Sequence, residues 1–220
     1  MTVGTWTLAA MLACTTGEDD TAPPSPQATV KLTFEEHDGS WLTPEGWSVE
    51  LEAGYALSLG LELLACPVAT ASHGAAVDDR LRAPHVEALH DPISQTAGTL
   101  SMVAPSYCEG SWSIGPADTS EVVEGNPTAP DLVSEGIGFY VKGTATPETG
   151  DAVDFEGASP RILGNQLTLE TEVGDIDVTI EVVRTLDTLF DGVDFEMATG
   201  AQIADIALEN FVGTARYELP

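Results

Sequence analysis

Basic residues are scarce in this chain of 220 residues, which has 7 Lys and Arg against 36 Asp and Glu. The formal net charge of -29 at pH 7 produces a field that repels the phosphates of nucleic acids and anionic lipid headgroups. The composition therefore excludes nucleic acid as a partner. The acidity itself serves solubility or adaptation to a salty exterior, or it attracts metal cations to the surface.

Signatures of catalysis are also absent. The sequence has no Gly-x-Ser-x-Gly elbow, P-loop, dinucleotide fingerprint or HExxH zinc motif. Acidic clusters such as residues 35–38 could supply oxygen ligands for calcium, but none follows the EF-hand pattern. We therefore predict a binding protein and not an enzyme.

Hydrophobic runs are short, and the N-terminal one points to export. Residues 1–14 are uncharged and largely apolar but shorter than the about 20 residues that span a bilayer. Their end, Met11-Leu-Ala-Cys14, resembles the lipobox of bacterial lipoproteins, in which the cysteine is lipidated and becomes the mature N-terminus. We expect a lipoprotein signal peptide over residues 1–14 and a periplasmic or outer-membrane-anchored protein of the cell envelope, in contact with the membrane only through its lipid.

Composition divides the remainder of the chain in two. Residues 15–27 are rich in Pro, Thr and acidic residues, as is typical of a flexible tether. Residues 28–220 have the apolar content of one globular domain. Once Cys14 is assigned to lipidation, the exported domain retains Cys66 and Cys108, an even number that predicts one disulfide. The alternative, two free thiols, would require a reducing compartment.

Apolar residues with a period of two predict an all-β domain. About nine short strands separated by turn signals favour an antiparallel β-sandwich, either immunoglobulin-like or a partly open barrel. Thr199 predicts the N-terminal cap of a C-terminal helix over residues 201–213 that packs on the sandwich. In the strand over residues 55–65 the alternation predicts a wet face with Ser58, Gly60 and Glu62, and a buried face with Tyr55, Leu57, Leu59, Leu61 and Leu63.

Three of the four histidines lie between the two strands that end at the paired cysteines. His73, His85 and His90 are expected in one polar loop, where imidazole nitrogens suit copper or zinc. The thioether of Met102 would favour Cu(I). We predict a copper site formed by these four residues. The alternative is a set of solvated histidines on a metal-free surface module that binds a protein or another ligand.

Three segments together resemble the MbnP-like proteins, which are exported bacterial proteins associated with copper handling. They are residues 30–34, residues 55–63, and residues 186–195 with the following helix up to Phe211. The resemblance implies an exported β-sandwich, copper as a ligand, and a di-haem or other envelope protein as partner. Copper-binding members of that family use histidines with an oxidised tryptophan, for which Trp41, Trp47 and Trp112 are the candidates here.

Overall fold

The computed structural model describes residues 25–37, 39–66, 78–82, 84–102, 106–121, 123–125, 131–172 and 177–220. The helices are α1 (Leu132–Glu135) and α2 (Gly200–Gly213). The strands are β1 (Gln27–Phe34), β2 (Trp41–Leu42), β3 (Trp47–Ala65), β4 (Asp78–Leu81), β5 (His85–Ala88), β6 (Gln95–Ser101), β7 (Ser106–Ile114), β8 (Glu124–Gly125), β9 (Phe139–Pro147), β10 (Val153–Ser159), β11 (Leu163–Glu172), β12 (Val178–Arg184) and β13 (Arg216–Glu218).

These strands form two sheets, which confirms the predicted all-β sandwich. One sheet has the order β13-β12-β1-β6, and the other is built around β3 and also contains β10, β9, β5, β7 and β11. Most neighbouring strands are antiparallel, but β1 pairs with β12 in parallel. The parallel pair brings segments from the two ends of the domain side by side, which strand alternation did not indicate.

Strand β3 is 19 residues long and organises its sheet. It pairs with β9 and then β7 along one edge, and with β2, β5 and β4 along the other. The strand expected over residues 55–65 is therefore the second part of one continuous strand that begins at Trp47. Its first part pairs with β9, and its second part pairs with β7.

A bulge in β3 makes the prediction of a single buried face wrong. The register between β3 and β7 shifts between Ser58 and Gly60, and Gly60 has φ 126°. An extra residue reverses the alternation of side chains that follow it. Leu57 consequently packs in a smaller apolar cluster, whereas Leu61 and Leu63 pack in the main core. Ser58, expected on the wet face, is buried.

Helix α2 is the predicted C-terminal helix. The Thr199 hydroxyl accepts a hydrogen bond from the Gln202 backbone, and the Gln202 side chain accepts one in return from the Thr199 backbone, so the start of the helix is capped reciprocally. No helix within the described ranges is both long and apolar enough to cross a membrane. Helix α2 covers β10 and closes the main core with six buried side chains, those of Ile203, Ala204, Ala207, Leu208, Phe211 and Val212.

The approach of α2 to β10 depends on two glycines. A Cβ on Gly157 would lie 2.0 Å from the carbonyl oxygen of Gly200. We expect Gly157→Ala to lower the free energy of unfolding by about 1–3 kcal/mol, since the helix must move off the sheet. Gly213→Ala is the control: a Cβ there has no neighbour within 4 Å among the described residues and should stabilise by about 0.4–1 kcal/mol. Denaturant unfolding measures both, and equal stability of the two variants would contradict the close contact.

Candidate functional site

His37 lies just after β1, and one of its two ring nitrogens makes no hydrogen bond to the described residues. Its side chain is 4% exposed, and its Nδ1 is 2.9 Å from Oδ1 of Asp187. Its ring centroid is 4.5 Å from that of Trp41. Within the described residues, Nε2 is buried and has no hydrogen-bond partner. A carboxylate on one ring nitrogen and a free second nitrogen is the usual arrangement of a metal-ligating histidine.

Trp41, the first residue of β2, is held rigidly beneath this imidazole. Its indole Nε1 donates a hydrogen bond of 2.6 Å to the carbonyl oxygen of Leu186. The edge of Phe190 packs on its ring at a centroid distance of 5.7 Å. Because Leu186 follows β12 and β2 pairs with β3, the tryptophan connects the two sheets. His37 therefore contacts a tryptophan that is itself anchored by a hydrogen bond.

An open cleft of about 550 Å³ borders His37 and Asp187. Glu36, Ser40 and Leu42 complete its lining, and Leu42 is 77% exposed. One imidazole nitrogen with nearby carboxylate oxygens is a donor set that suits copper(II) or zinc. In the sequence, His37 stands only within the acidic cluster of residues 35–38, because its partner Asp187 is 150 positions away.

The three predicted metal ligands that the structure describes do not share one polar loop. His85 begins β5 and is 7% exposed, with Nε2 buried and unpartnered among the described residues. His90 follows β5, and its Nδ1 is 3.2 Å from both the nitrogen and the carbonyl oxygen of Gly54. Met102 is 1% exposed in the main core. His73 lies outside the described residues. The expectation that His85 lies in a polar loop was wrong, because β4, β5 and β6 occupy much of this segment.

In the described part of the chain, no group of three or more His, Cys, Asp or Glu side chains is close enough to hold a metal ion. A four-residue copper site that includes His73 stays a prediction. Of the described histidines, His37 and His85 have a buried ring nitrogen without a partner. These two side chains are therefore the better candidates for ligands.

The predicted disulfide between Cys66 and Cys108 is confirmed. Cys66 directly follows β3 and Cys108 lies in β7, so strand pairing already brings the two backbones together, with Cα atoms 4.8 Å apart. The Cys66 backbone N–H also donates to the carbonyl oxygen of Ser106 at 3.1 Å. Cys14, the predicted lipidation site, lies outside the described residues.

A buried ion pair links the two sheets near His85. Arg184, the last residue of β12, donates from Nη1 to Oε1 of Glu87 at 3.2 Å and from Nη2 to Oε2. Both side chains are fully buried. The guanidinium carbon of Arg184 also lies 4.5 Å from the ring centroid of Phe34 and 5.0 Å from that of Trp112. A charged pair with aromatic neighbours therefore occupies the space between the sheets, where strand alternation predicts apolar residues.

Burial shifts the pKa values of both Glu87 and Arg184. Removal from water raises the pKa of Glu87, while the Arg184 charge, its hydrogen bond and the nearby His85 oppose that rise. Burial likewise lowers the pKa of Arg184, and Glu87 opposes the change. Each charge is tolerated because the other is present. The pair was not predicted from the sequence, although an arginine at the end of an apolar strand was a signal for a buried ion pair.

Comparison of this chain with protein-family models, with curated proteins and with solved structures found no match.

Proposed function

We propose that this chain is an exported, lipid-anchored binding protein of the bacterial cell envelope that binds copper or a related transition metal. The observation that carries the proposal is the state of His37. Its Nδ1 is held by Asp187, its ring lies on Trp41, and its Nε2 is buried without a partner. An unpartnered buried nitrogen costs free energy, which a bound metal would recover.

Charge and compartment support the proposal. A net charge of -29 concentrates cations near the protein surface. The disulfide between Cys66 and Cys108 is typical of chains that fold in an oxidising compartment. Both properties suit a protein exported to the envelope and tethered there through Cys14. A di-haem or other envelope protein is the partner proposed from the resemblance, and Trp41 is the tryptophan that we propose for oxidation because of its contact with His37.

The test is metal stoichiometry on the full chain with its disulfide formed. After reconstitution with copper and with zinc, elemental analysis should find about one copper per chain in the wild type. Asp187→Asn keeps the size of a side chain that is 68% exposed, and it should weaken copper binding about 10–100-fold because His37 loses its orienting carboxylate. His37→Ala should remove the bound copper.

A second set of variants separates the two proposed ligand sets. The triple variant His73→Ala, His85→Ala and His90→Ala should lose copper only if the predicted histidine segment holds the metal. If His37 holds the metal, His90→Ala alone should leave copper binding unchanged, since the Nδ1 of His90 already contacts the Gly54 backbone. Thermal unfolding confirms that each variant is folded. Absence of both metals from the reconstituted wild type would overturn the proposal and favour the metal-free surface module.

A further inference from the structure

A second cleft, of about 320 Å³, lies beside strand β4. Its lining includes Arg80 and Arg82 on one side and three apolar side chains, Leu59, Ala117 and Ile162. Arg80 lies in β4 and Arg82 follows it, and both are exposed. The cleft therefore combines guanidinium groups with an apolar wall, and it shares no lining residue with the cleft at His37.

The two arginines differ from the other basic residues of the chain. Each of the other five has a carboxylate within 4 Å. Arg80 and Arg82 have no such partner among the described residues. In a chain with 36 acidic residues and 7 basic ones, these two neighbouring cations therefore stand apart from the remaining basic residues. Both line one cleft.

The acidic residues of this cleft are engaged within their own loop. Oδ1 of Asp118 accepts hydrogen bonds from the backbone and the hydroxyl of Ser120, at 2.8 and 2.7 Å. These bonds lower the pKa of Asp118 below its ordinary value, and the more distant charge of Arg82 contributes in the same direction. Glu121 accepts a bond of 2.9 Å from the Asp118 backbone. Neither carboxylate forms an ion pair with Arg80 or Arg82.

The apolar wall is continuous with the interior. Ala117 belongs to the smaller apolar cluster, and Leu59 packs against it. Ile162 is 65% exposed and lies over Gly115, where a Cβ would come within 2.7 Å of its Cγ1. An exposed isoleucine beside a buried apolar surface provides a contact for an apolar ligand body.

We propose that this cleft binds a small organic monocarboxylate that carries an apolar body. A planar guanidinium matches a carboxylate through two parallel hydrogen bonds, and Arg80 and Arg82 supply two such groups. The apolar wall of Leu59, Ala117 and Ile162 accommodates the remainder of the ligand. The chain's strong negative charge favours a singly charged anion over a phosphate or polyanion, because repulsion grows with ligand charge.

The test is a titration of the full isotope-labelled chain with hexanoate, acetate and hexylammonium, followed by amide chemical shifts. Hexanoate should shift residues 59, 80, 82, 117 and 162, and it should bind more tightly than acetate because only hexanoate reaches the apolar wall. Hexylammonium has the same apolar body and the opposite charge, and it should not bind in this cleft.

Matched variants assign the roles of the lining residues. Arg80→Gln and Arg82→Gln should each weaken hexanoate binding about tenfold. Arg216→Gln, on β13 of the other sheet, removes the same charge from an ion pair with Glu35 and should leave the affinity within about twofold. Ile162→Ser should abolish the preference for hexanoate over acetate. Equal binding of hexylammonium, or unchanged hexanoate affinity in the double variant Arg80→Gln and Arg82→Gln, would overturn the proposal.

Discussion

Glu87→Gln is expected to lower the free energy of unfolding by about 3–5 kcal/mol, because it leaves the Arg184 guanidinium buried without a counter-charge. Glutamine preserves the size of the side chain, so the loss reports charge and not packing. Arg184 is fully buried between the sheets and has no route to water without movement of β12. Urea unfolding monitored by tryptophan fluorescence measures the loss.

Arg184→Met should cost a similar amount at neutral pH, but its cost should depend on pH. Burial already raises the pKa of Glu87 above its ordinary value of 4.5, and loss of the guanidinium raises it further. The folded variant then binds a proton more tightly than the unfolded chain. Its stability is therefore greatest near and below pH 4.5 and falls as the pH rises through the raised pKa. The stability of Glu87→Gln should not recover at low pH in this way, because Arg184 stays charged.

The double variant Glu87→Met and Arg184→Met is the control for this interpretation. Two apolar side chains of related volume leave no buried charge, so the double variant should recover most of the stability that either single variant loses. A double variant as unstable as the sum of the two single ones would contradict the ion-pair explanation. Stability of Glu87→Gln within about 0.5 kcal/mol of the wild type would contradict full burial of the pair.

Removal of the disulfide is expected to lower the free energy of unfolding by about 4 kcal/mol in the chain-entropy model, because the bridge closes a loop of 42 residues. The effect arises mainly in the unfolded chain, which expands when the loop is open. The variant with Cys66→Ala and Cys108→Ala should therefore also show a larger denaturant dependence of unfolding, since more surface is exposed.

Reduction of the wild-type protein provides an independent route to the same state. With dithiothreitol present throughout, its unfolding midpoint should match that of the double alanine variant. β3 and β7 pair directly, so the folded structure should retain its strand order without the bridge. Equal stability of oxidised and reduced protein would show that the disulfide does not constrain the unfolded chain.

Local patterns predicted several elements of this fold correctly. The period-two alternation of apolar residues predicted the all-β architecture, and the cap at Thr199 corresponds to the start of α2. The cysteine count predicted the bridge. Each of these signals is carried by the residue types and their spacing along the chain: side-chain alternation, a capping hydroxyl and an even number of cysteines in residues 28–220. The bulge at Gly60 was not predicted, because glycine is compatible with regular strand and bulge alike.

The candidate sites depend on contacts between residues that are distant in the sequence. The sequence drew attention to His73, His85 and His90 because they are close in the chain, whereas the structure places His85 in a buried strand and His90 on the Gly54 backbone. His37 depends on Asp187, 150 positions away. Histidines that are neighbours in sequence are not required to converge in a β-sandwich, where adjacent strands are commonly distant in the chain.

Composition alone gives the strong negative charge, and local sequence features were sufficient to predict the β-rich architecture, the capped C-terminal helix and the disulfide between Cys66 and Cys108. The tertiary structure alone decided the parallel pairing of β1 with β12, the buried pair of Glu87 and Arg184, and the two clefts. The physical reason is the range of the interactions. Periodicity, caps and composition act over a few residues or over the whole chain, while pairing and burial are decided by contacts such as that between Glu87 and Arg184, which are 97 positions apart.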